Sequence, residues 1–116
     1  MENRNIDLLE EETITRGTGN VFADLAYADA DERQTKLRLA AAINSVITRR
    51  RLTQAAAAEI MKVGQPKVSA LENYKLDGFS VERLMIFLTA LDQDVEIVIR
   101  KKPRSRSAGR ISVNAA

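Results

Sequence analysis

The sequence predicts an all-α domain of five helices followed by one C-terminal β-strand. Its 116 residues, 45% hydrophobic and 29% charged, suffice for one domain with a modest core. Apolar residues recur at helical spacing, capping residues separate the helical segments, and one β-branched run stands near the C-terminal end. We expect a flexible acidic arm at residues 1–19, the domain at 20–100 and a flexible basic tail at 101–116.

The first two helices are predicted on either side of a polar segment. Residues 21–27 are expected to form one or two helical turns. In Asp31–Gln34 a capping residue is followed three positions later by glutamine, which is the pattern of a capping box. A second, amphipathic helix is therefore expected over residues 35–50, with Leu37 and Ile43 on its apolar face.

Two capping residues and a turn mark the next three helices. Thr53 is expected to cap an alanine-rich helix at 54–61, and a turn at 62–64 leads to a further helix at 65–73. Ser80 is expected to cap the fifth helix, which ends near Leu91.

The only predicted strand covers residues 95–100, where Val95, Ile97 and Ile99 alternate with other side chains. A lone strand cannot satisfy its own backbone hydrogen bonds, and no second strand is evident in the chain. The simplest partner is the same strand of a second copy. The sequence therefore predicts a homodimer.

Composition excludes several classes of function. The chain has no cysteine and no histidine, which excludes disulfide scaffolds, zinc fingers, thiol nucleophiles and histidine-based catalysis. No apolar run approaches the ~20 residues of a membrane span, and the N-terminus lacks the apolar region of a secretory signal. Two Asp-x-Asp pairs lack the further ligands of a calcium loop. We expect a cytoplasmic protein that is not an enzyme and has no cofactor, metal or membrane partner.

Charge is distributed unevenly along the chain. Residues 1–32 hold two basic against nine acidic residues, a net charge of −7, whereas residues 33–116 hold sixteen against seven, a net charge of +9. This asymmetry suggests one basic and one polyanionic partner. A solvated acidic tail that meets no partner explains it equally well.

Residues 54–73 have the pattern of a helix, a three-residue turn and a second helix. Small Ala58 is expected at the closest approach of the helices. An apolar seam would lie between them. Its members are Ala57, Val63, Val68 and Leu71. This geometry matches a helix-turn-helix whose second helix enters the DNA major groove.

The second helix would present four candidate base-contacting residues outward: Gln65, Lys67, Ser69 and Ala70. Glutamine can pair with adenine, and lysine can reach guanine O6 and N7. Four further residues are candidates for phosphate contacts: Thr53, Gln54, Asn73 and Lys75. The alternative to base contact is an ordinary solvated helix face, and the alternative to phosphate contact is helix capping.

The motif resembles the Xre/Cro family of helix-turn-helix proteins. The resemblance is carried by Thr53-Gln54, Ala58, Val63 and Gln65-Pro66-Lys67-Val68-Ser69. Asn20–Leu25, Leu37–Ile43, Phe79–Leu84 and Val95–Ile97 are similar to the HigA-like antitoxins. Together these segments span roughly residues 20–100, and the family implies a lambda-repressor-like fold.

Three positions depart from the family pattern. Lys62 stands where glycine usually opens the turn, and a left-handed conformation there would cost about 1–2 kcal/mol. Gly64 replaces the usual serine or threonine cap, and Ala56 replaces an acidic residue of the capping box.

The resemblance implies a dimeric repressor that binds double-stranded operator DNA and acts as an antitoxin. Its partner would be a RelE/HigB-like basic ribonuclease toxin, contacted through the acidic arm and Phe22, Asp24 and Leu25. Two alternatives stay open. One is a stand-alone Xre-family regulator without a toxin, and the other is an interaction protein whose altered turn no longer supports DNA binding.

Overall fold

The computed structural model describes the backbone of residues 18–115 and the side chains of residues 30–115. The described residues form four helices and no strand: α1 (Thr18–Arg49), α2 (Gln54–Met61), α3 (Gln65–Glu72) and α4 (Val81–Ala90). The chain divides into two units at residues 1–31 and 32–116. In the described part of the chain, no helix is long and apolar enough to cross a membrane.

The prediction of five helices is wrong, because α1 is one helix where two were expected. Asp31 and Gln34 lie inside it and do not mark a helix start. Between Gly19 and Gly64 the sequence has neither glycine nor proline, and alanine recurs around residue 30. With no residue that breaks a helix, the polar segment continues the helical turns.

The prediction of a C-terminal strand is also wrong for the single chain. Residues 93–103 carry no regular secondary structure. Ile97 is 73% exposed and Ile99 is 92% exposed, whereas Val95 packs against the core. The physical reason is that the described part of the chain offers no second strand to accept the backbone hydrogen bonds of this segment.

The predicted N-caps are confirmed at two helices. The Thr53 hydroxyl accepts a hydrogen bond from the Ala56 N–H at 3.0 Å, and the Ser80 hydroxyl accepts one from the Arg83 N–H at 3.1 Å. Each bond satisfies a backbone N–H that a helix start leaves without an intrahelical acceptor.

All four helices are followed by a non-glycine residue in the left-handed conformation. These residues are Arg51, Lys62, Tyr74 and Asp92, with φ between 55° and 67°. Glycine adopts this conformation without the crowding of a Cβ atom, so each site carries local strain.

One apolar core joins α1 to the other three helices. Its largest fully buried side chains are Ile43, Val68, Leu71, Leu84, Phe87 and Leu91. The apolar face of α1 is rotated from the predicted one. Leu37 is 43% exposed, and Leu39 and Val46 are buried instead.

Arg50 ties the end of α1 to the end of α4. Its guanidinium donates a hydrogen bond to the Leu91 carbonyl at 3.1 Å and lies 3.7 Å from the Asp92 carboxylate. Farther along the chain, Val113 packs against the core and lines a shallow cavity beside Arg38 on α1. Val95, which precedes the basic tail, and Val113, which lies within it, therefore both contact the helical core.

Candidate nucleic-acid interface

Helices α2 and α3 pack against each other through the predicted apolar seam. Ala57, Val68 and Leu71 are fully buried, and Ala58 is 7% exposed. Small side chains at these two alanines let α3 approach α2 closely. Val63 is half-buried and packs against the same core, so the expected seam is confirmed.

The turn between α2 and α3 contains two of the residues that depart from the family pattern, Lys62 and Gly64. Lys62 adopts φ 59° and ψ 46°, and its N–H donates to the Ala58 carbonyl, which ends α2. Gly64 is the N-cap of α3 and supplies no side-chain hydrogen bond. Pro66 lies in the first turn of α3, where its missing N–H costs nothing. Lys62 and Gly64, two of the three positions that depart from the family pattern, therefore serve as caps although each is a less favourable residue for its place.

Two of the predicted base-contacting residues are exposed on α3. Gln65 and Lys67 lie at the surface of its first turn, whereas Ser69 and Ala70 are half-buried. Ala70 packs against the core, so only part of its surface is open to a partner. The structure thus places all four on α3 and leaves Gln65 and Lys67 the most accessible.

Three of the predicted phosphate-contacting residues already make hydrogen bonds within the chain. Besides the Thr53 cap, the Gln54 Nε2 donates to the Glu72 Oε1 at 2.9 Å, and the Asn73 Nδ2 donates to the Ser69 carbonyl at 2.9 Å. The capping alternative therefore describes Asn73 in this structure. Lys75 is exposed.

The Gln54–Glu72 contact joins the start of α2 to the end of α3. Sequence reasoning missed Glu72 because the partners are 18 residues apart. The pair places a carboxylate beside one predicted phosphate contact and fixes the amide orientation of Gln54.

Asn44 of α1 also holds the end of α3. Its Nδ2 donates to the Leu71 carbonyl at 3.1 Å, and its Oδ1 is buried with no hydrogen-bond partner. In the sequence Asn44 is a polar residue that directly follows the apolar residues 40–43 of the predicted helix over 35–50. A polar residue at such a position indicates a hydrogen bond to another element, here the end of α3.

Lys67 contacts the loop between α3 and α4. Its Nζ lies 4.7 Å from the ring centroid of Phe79 and donates to the Gly78 carbonyl at 3.4 Å. Phe79 is buried and meets Phe87 edge to face, with centroids 6.0 Å apart. Sequence reasoning missed both Gly78 and Phe79, since this loop has no regular period.

The remaining predictions concern the toxin contacts, metal ions and the basic tail. The side chains of Phe22, Asp24 and Leu25 and the acidic residues before Thr18 lie outside the described residues. Among those that the structure describes, no cluster of acidic side chains could hold a metal ion. The basic residues of the tail are exposed or half-buried: Lys101, Lys102, Arg104, Arg106 and Arg110.

Comparison with known proteins identifies the family of this fold. The model of a helix-turn-helix domain family (HTH_37) matches residues 21–100. A solved structure named "Putative XRE Family Transcriptional Regulator" is 76% identical, with a TM-score of 0.73, and the match covers 76% of this chain and 99% of that chain. No curated protein matches the chain.

Proposed function

This chain belongs to the XRE family of helix-turn-helix proteins, and from that premise we propose that it is a transcriptional repressor that binds a specific double-stranded operator. Helix α3 enters the major groove, and Gln65 and Ser69 contact base edges with support from Ala70. The proposed phosphate contacts lie at the start of α2 and after the end of α3: Thr53, Gln54, Asn73 and Lys75. Repression follows from competition with RNA polymerase for the promoter.

The observation that carries this proposal is the geometry of α2, the turn and α3. The buried seam fixes α3 against α2, while Gln65 stays exposed in the first turn of α3. In helix-turn-helix proteins the N-terminal residues of the second helix contact the bases. The net charge of +9 over residues 33–116 favours a polyanionic partner.

Selection from random DNA duplexes tests the proposal and identifies the operator sequence in the same experiment. The full chain is incubated with the pool, and bound duplexes are amplified and sequenced. We expect enrichment of one pseudo-palindromic site, which should also occur upstream of the protein's own gene. Recovery of no common sequence at any salt concentration would contradict the proposal.

We further propose that the protein is an antitoxin of the HigA type, because residues 1–32 and residues 33–116 carry opposite net charge. The net charge of −7 over residues 1–32 favours a basic partner. The acidic arm, with Phe22, Asp24 and Leu25, would cover a RelE/HigB-like ribonuclease toxin and block its access to RNA.

Growth of a host expressing the reading frame adjacent to the gene tests the antitoxin proposal. We expect growth arrest that co-expression of this protein relieves, and loss of relief when residues 1–19 are deleted. Absence of arrest, or arrest that persists, would favour a stand-alone regulator without a toxin. DNA binding by the deleted chain is the control that it still folds.

The proposed operator complex contains two copies of the chain. Ile97 and Ile99 expose apolar side chains that an isolated chain leaves in water, and a second copy would cover them. Val95 already packs against its own core and contributes less to such an interface. A two-fold symmetric dimer would place two α3 helices in major grooves about 34 Å apart.

A further inference from the structure

We infer that Lys67 contacts a DNA phosphate, held in place by Phe79 and Gly78, and does not contact a guanine. This inference rests on the proposed DNA binding. It assigns to Lys67 a contribution to affinity that does not depend on the DNA sequence. The residue type alone predicts a contact to guanine O6 and N7, because lysine in the first turn of such a helix commonly faces bases. The contacts of the ammonium point elsewhere.

The ammonium of Lys67 lies against the loop before α4, in a seat formed by the Phe79 ring and the Gly78 carbonyl. It lies 4.7 Å from the centroid of the Phe79 ring, within the range of a cation–π interaction, and the Gly78 carbonyl accepts one of its hydrogen bonds at 3.4 Å. The ring itself is buried and braced edge to face by Phe87. The ring therefore belongs to the core, whereas Gly78 lies on the exposed loop before it.

Gly78 leaves the room that this seat requires. A Cβ atom at Gly78 would lie 3.3 Å from the Lys67 Nζ, closer than ordinary van der Waals contact. A side chain at this position would require the ammonium to shift by a few tenths of an ångström. Glycine therefore permits the approach of the charged group to the loop backbone.

The seat determines what the ammonium can still bind. A lysine ammonium has three N–H donors, and the Gly78 carbonyl and the face of the ring occupy two of its directions. Pairing with both acceptors of guanine, O6 and N7, is best served by two free donors, whereas a phosphate oxygen pairs with a single charged donor. Lys67 itself is exposed, so that remaining donor is accessible. The seated ammonium therefore fits a phosphate better than a base.

The test uses the full chain, the site selected from random duplexes and a panel of single base-pair variants of that site. Affinity is measured over a range of salt concentrations for the wild type, Lys67→Met and Gln65→Ala. We expect Lys67→Met to weaken binding to every duplex by the same factor, about fivefold per protomer at 0.15 M salt, and to lower the log–log salt slope by about 0.9 per protomer. Gln65→Ala should instead reduce discrimination at one base pair of each half-site.

A double-mutant cycle tests the role of Phe79 as a positioning residue. We expect Phe79→Leu to weaken binding uniformly as well, and the double variant with Lys67→Met to lose no more than Lys67→Met alone. Ile43→Val is the control, because it alters a fully buried side chain of α1 and none of the contacts of Lys67. Its effect should add to that of Lys67→Met, and thermal unfolding followed by circular dichroism reports the stability of every variant.

Three outcomes would overturn the inference. Lys67→Met could lose discrimination at a single base pair, which would make Lys67 a base contact. It could leave affinity and salt slope unchanged, or its effect could add fully to that of Phe79→Leu. If the wild type selects no site at all, the proposed function fails first and this inference fails with it.

Discussion

At the scale of single residues, the turn before α3 stores strain at Lys62. This residue adopts the left-handed conformation, in which its Cβ crowds the following carbonyl. The same conformation follows the other three helices, at Arg51, Tyr74 and Asp92. Four strained C-termini in one small domain indicate that glycine at these sites would stabilise the fold.

Replacement of Lys62 by glycine is expected to raise the free energy of unfolding by about 0.5–1 kcal/mol, because relief of the strain outweighs the greater freedom of glycine in the unfolded chain. Urea denaturation measures the change. The matched control is Glu59→Gly, which places glycine at an exposed position inside α2 and should lower the free energy of unfolding by about 1 kcal/mol. A loss of stability in Lys62→Gly would contradict the assigned backbone conformation.

At the scale of helices, Asn44 tethers α1 to the end of α3. Its amide donates to the Leu71 carbonyl at 3.1 Å, and the unpartnered Oδ1 is buried beside it. The orientation of α3 thus depends on a polar contact inside an apolar interface, where a wrong donor or acceptor is costly.

The variant Asn44→Asp replaces that donor by a carboxylate that faces the Leu71 carbonyl. We expect a loss of about 2 kcal/mol in the free energy of unfolding, since the buried charge has no donor. Chemical denaturation of Ser45→Asp, the neighbouring position on α1, provides the control, and its change should stay within about 0.5 kcal/mol. Equal losses in the two variants would show that the tether contributes nothing.

The sequence predicted those helices whose ends are marked by local signals. Thr53 and Ser80 mark the starts of α2 and α4 through bonds that span three residues. The long α1 was missed because Asp31 and Gln34 match a capping box, although nothing nearby breaks the helix. Capping patterns indicate a helix start only where the preceding residues are not helical.

The predicted interface shows the same division between local and distant signals. The spacing of Gln65, Lys67 and Ser69 on one helix could be deduced, because helical periodicity is local. The contacts of Lys67 with Phe79 and of Gln54 with Glu72 could not, since they depend on loop conformation and on the packing of separate helices.

At the scale of the whole molecule, the exposed residues after α4 bear on its oligomeric state. Ile97 and Ile99 are among the most exposed large apolar residues that the structure describes. The double variant Ile97→Asp with Ile99→Asp is expected to be monomeric where the wild type is a dimer, because two carboxylates cannot be buried in an apolar interface without partners.

Analytical ultracentrifugation measures this change in mass. The control is Ile111→Asp, which alters an isoleucine that is 68% exposed outside the segment and should leave the dimer intact. A wild-type chain that sediments as a monomer at micromolar concentration would contradict the proposed dimer. A dimer that survives the double variant would place the interface elsewhere.

Helix α3 is the proposed reader of DNA sequence, and one titration tests this assignment most directly. The selected duplex and its single base-pair variants are titrated with the wild type, with Gln65→Ala and with Ser45→Ala as a control away from α3. We expect Gln65→Ala to lose about 1–3 kcal/mol of discrimination at one base pair of each half-site, and Ser45→Ala to retain it. Full retention of discrimination by Gln65→Ala would contradict the assignment of α3.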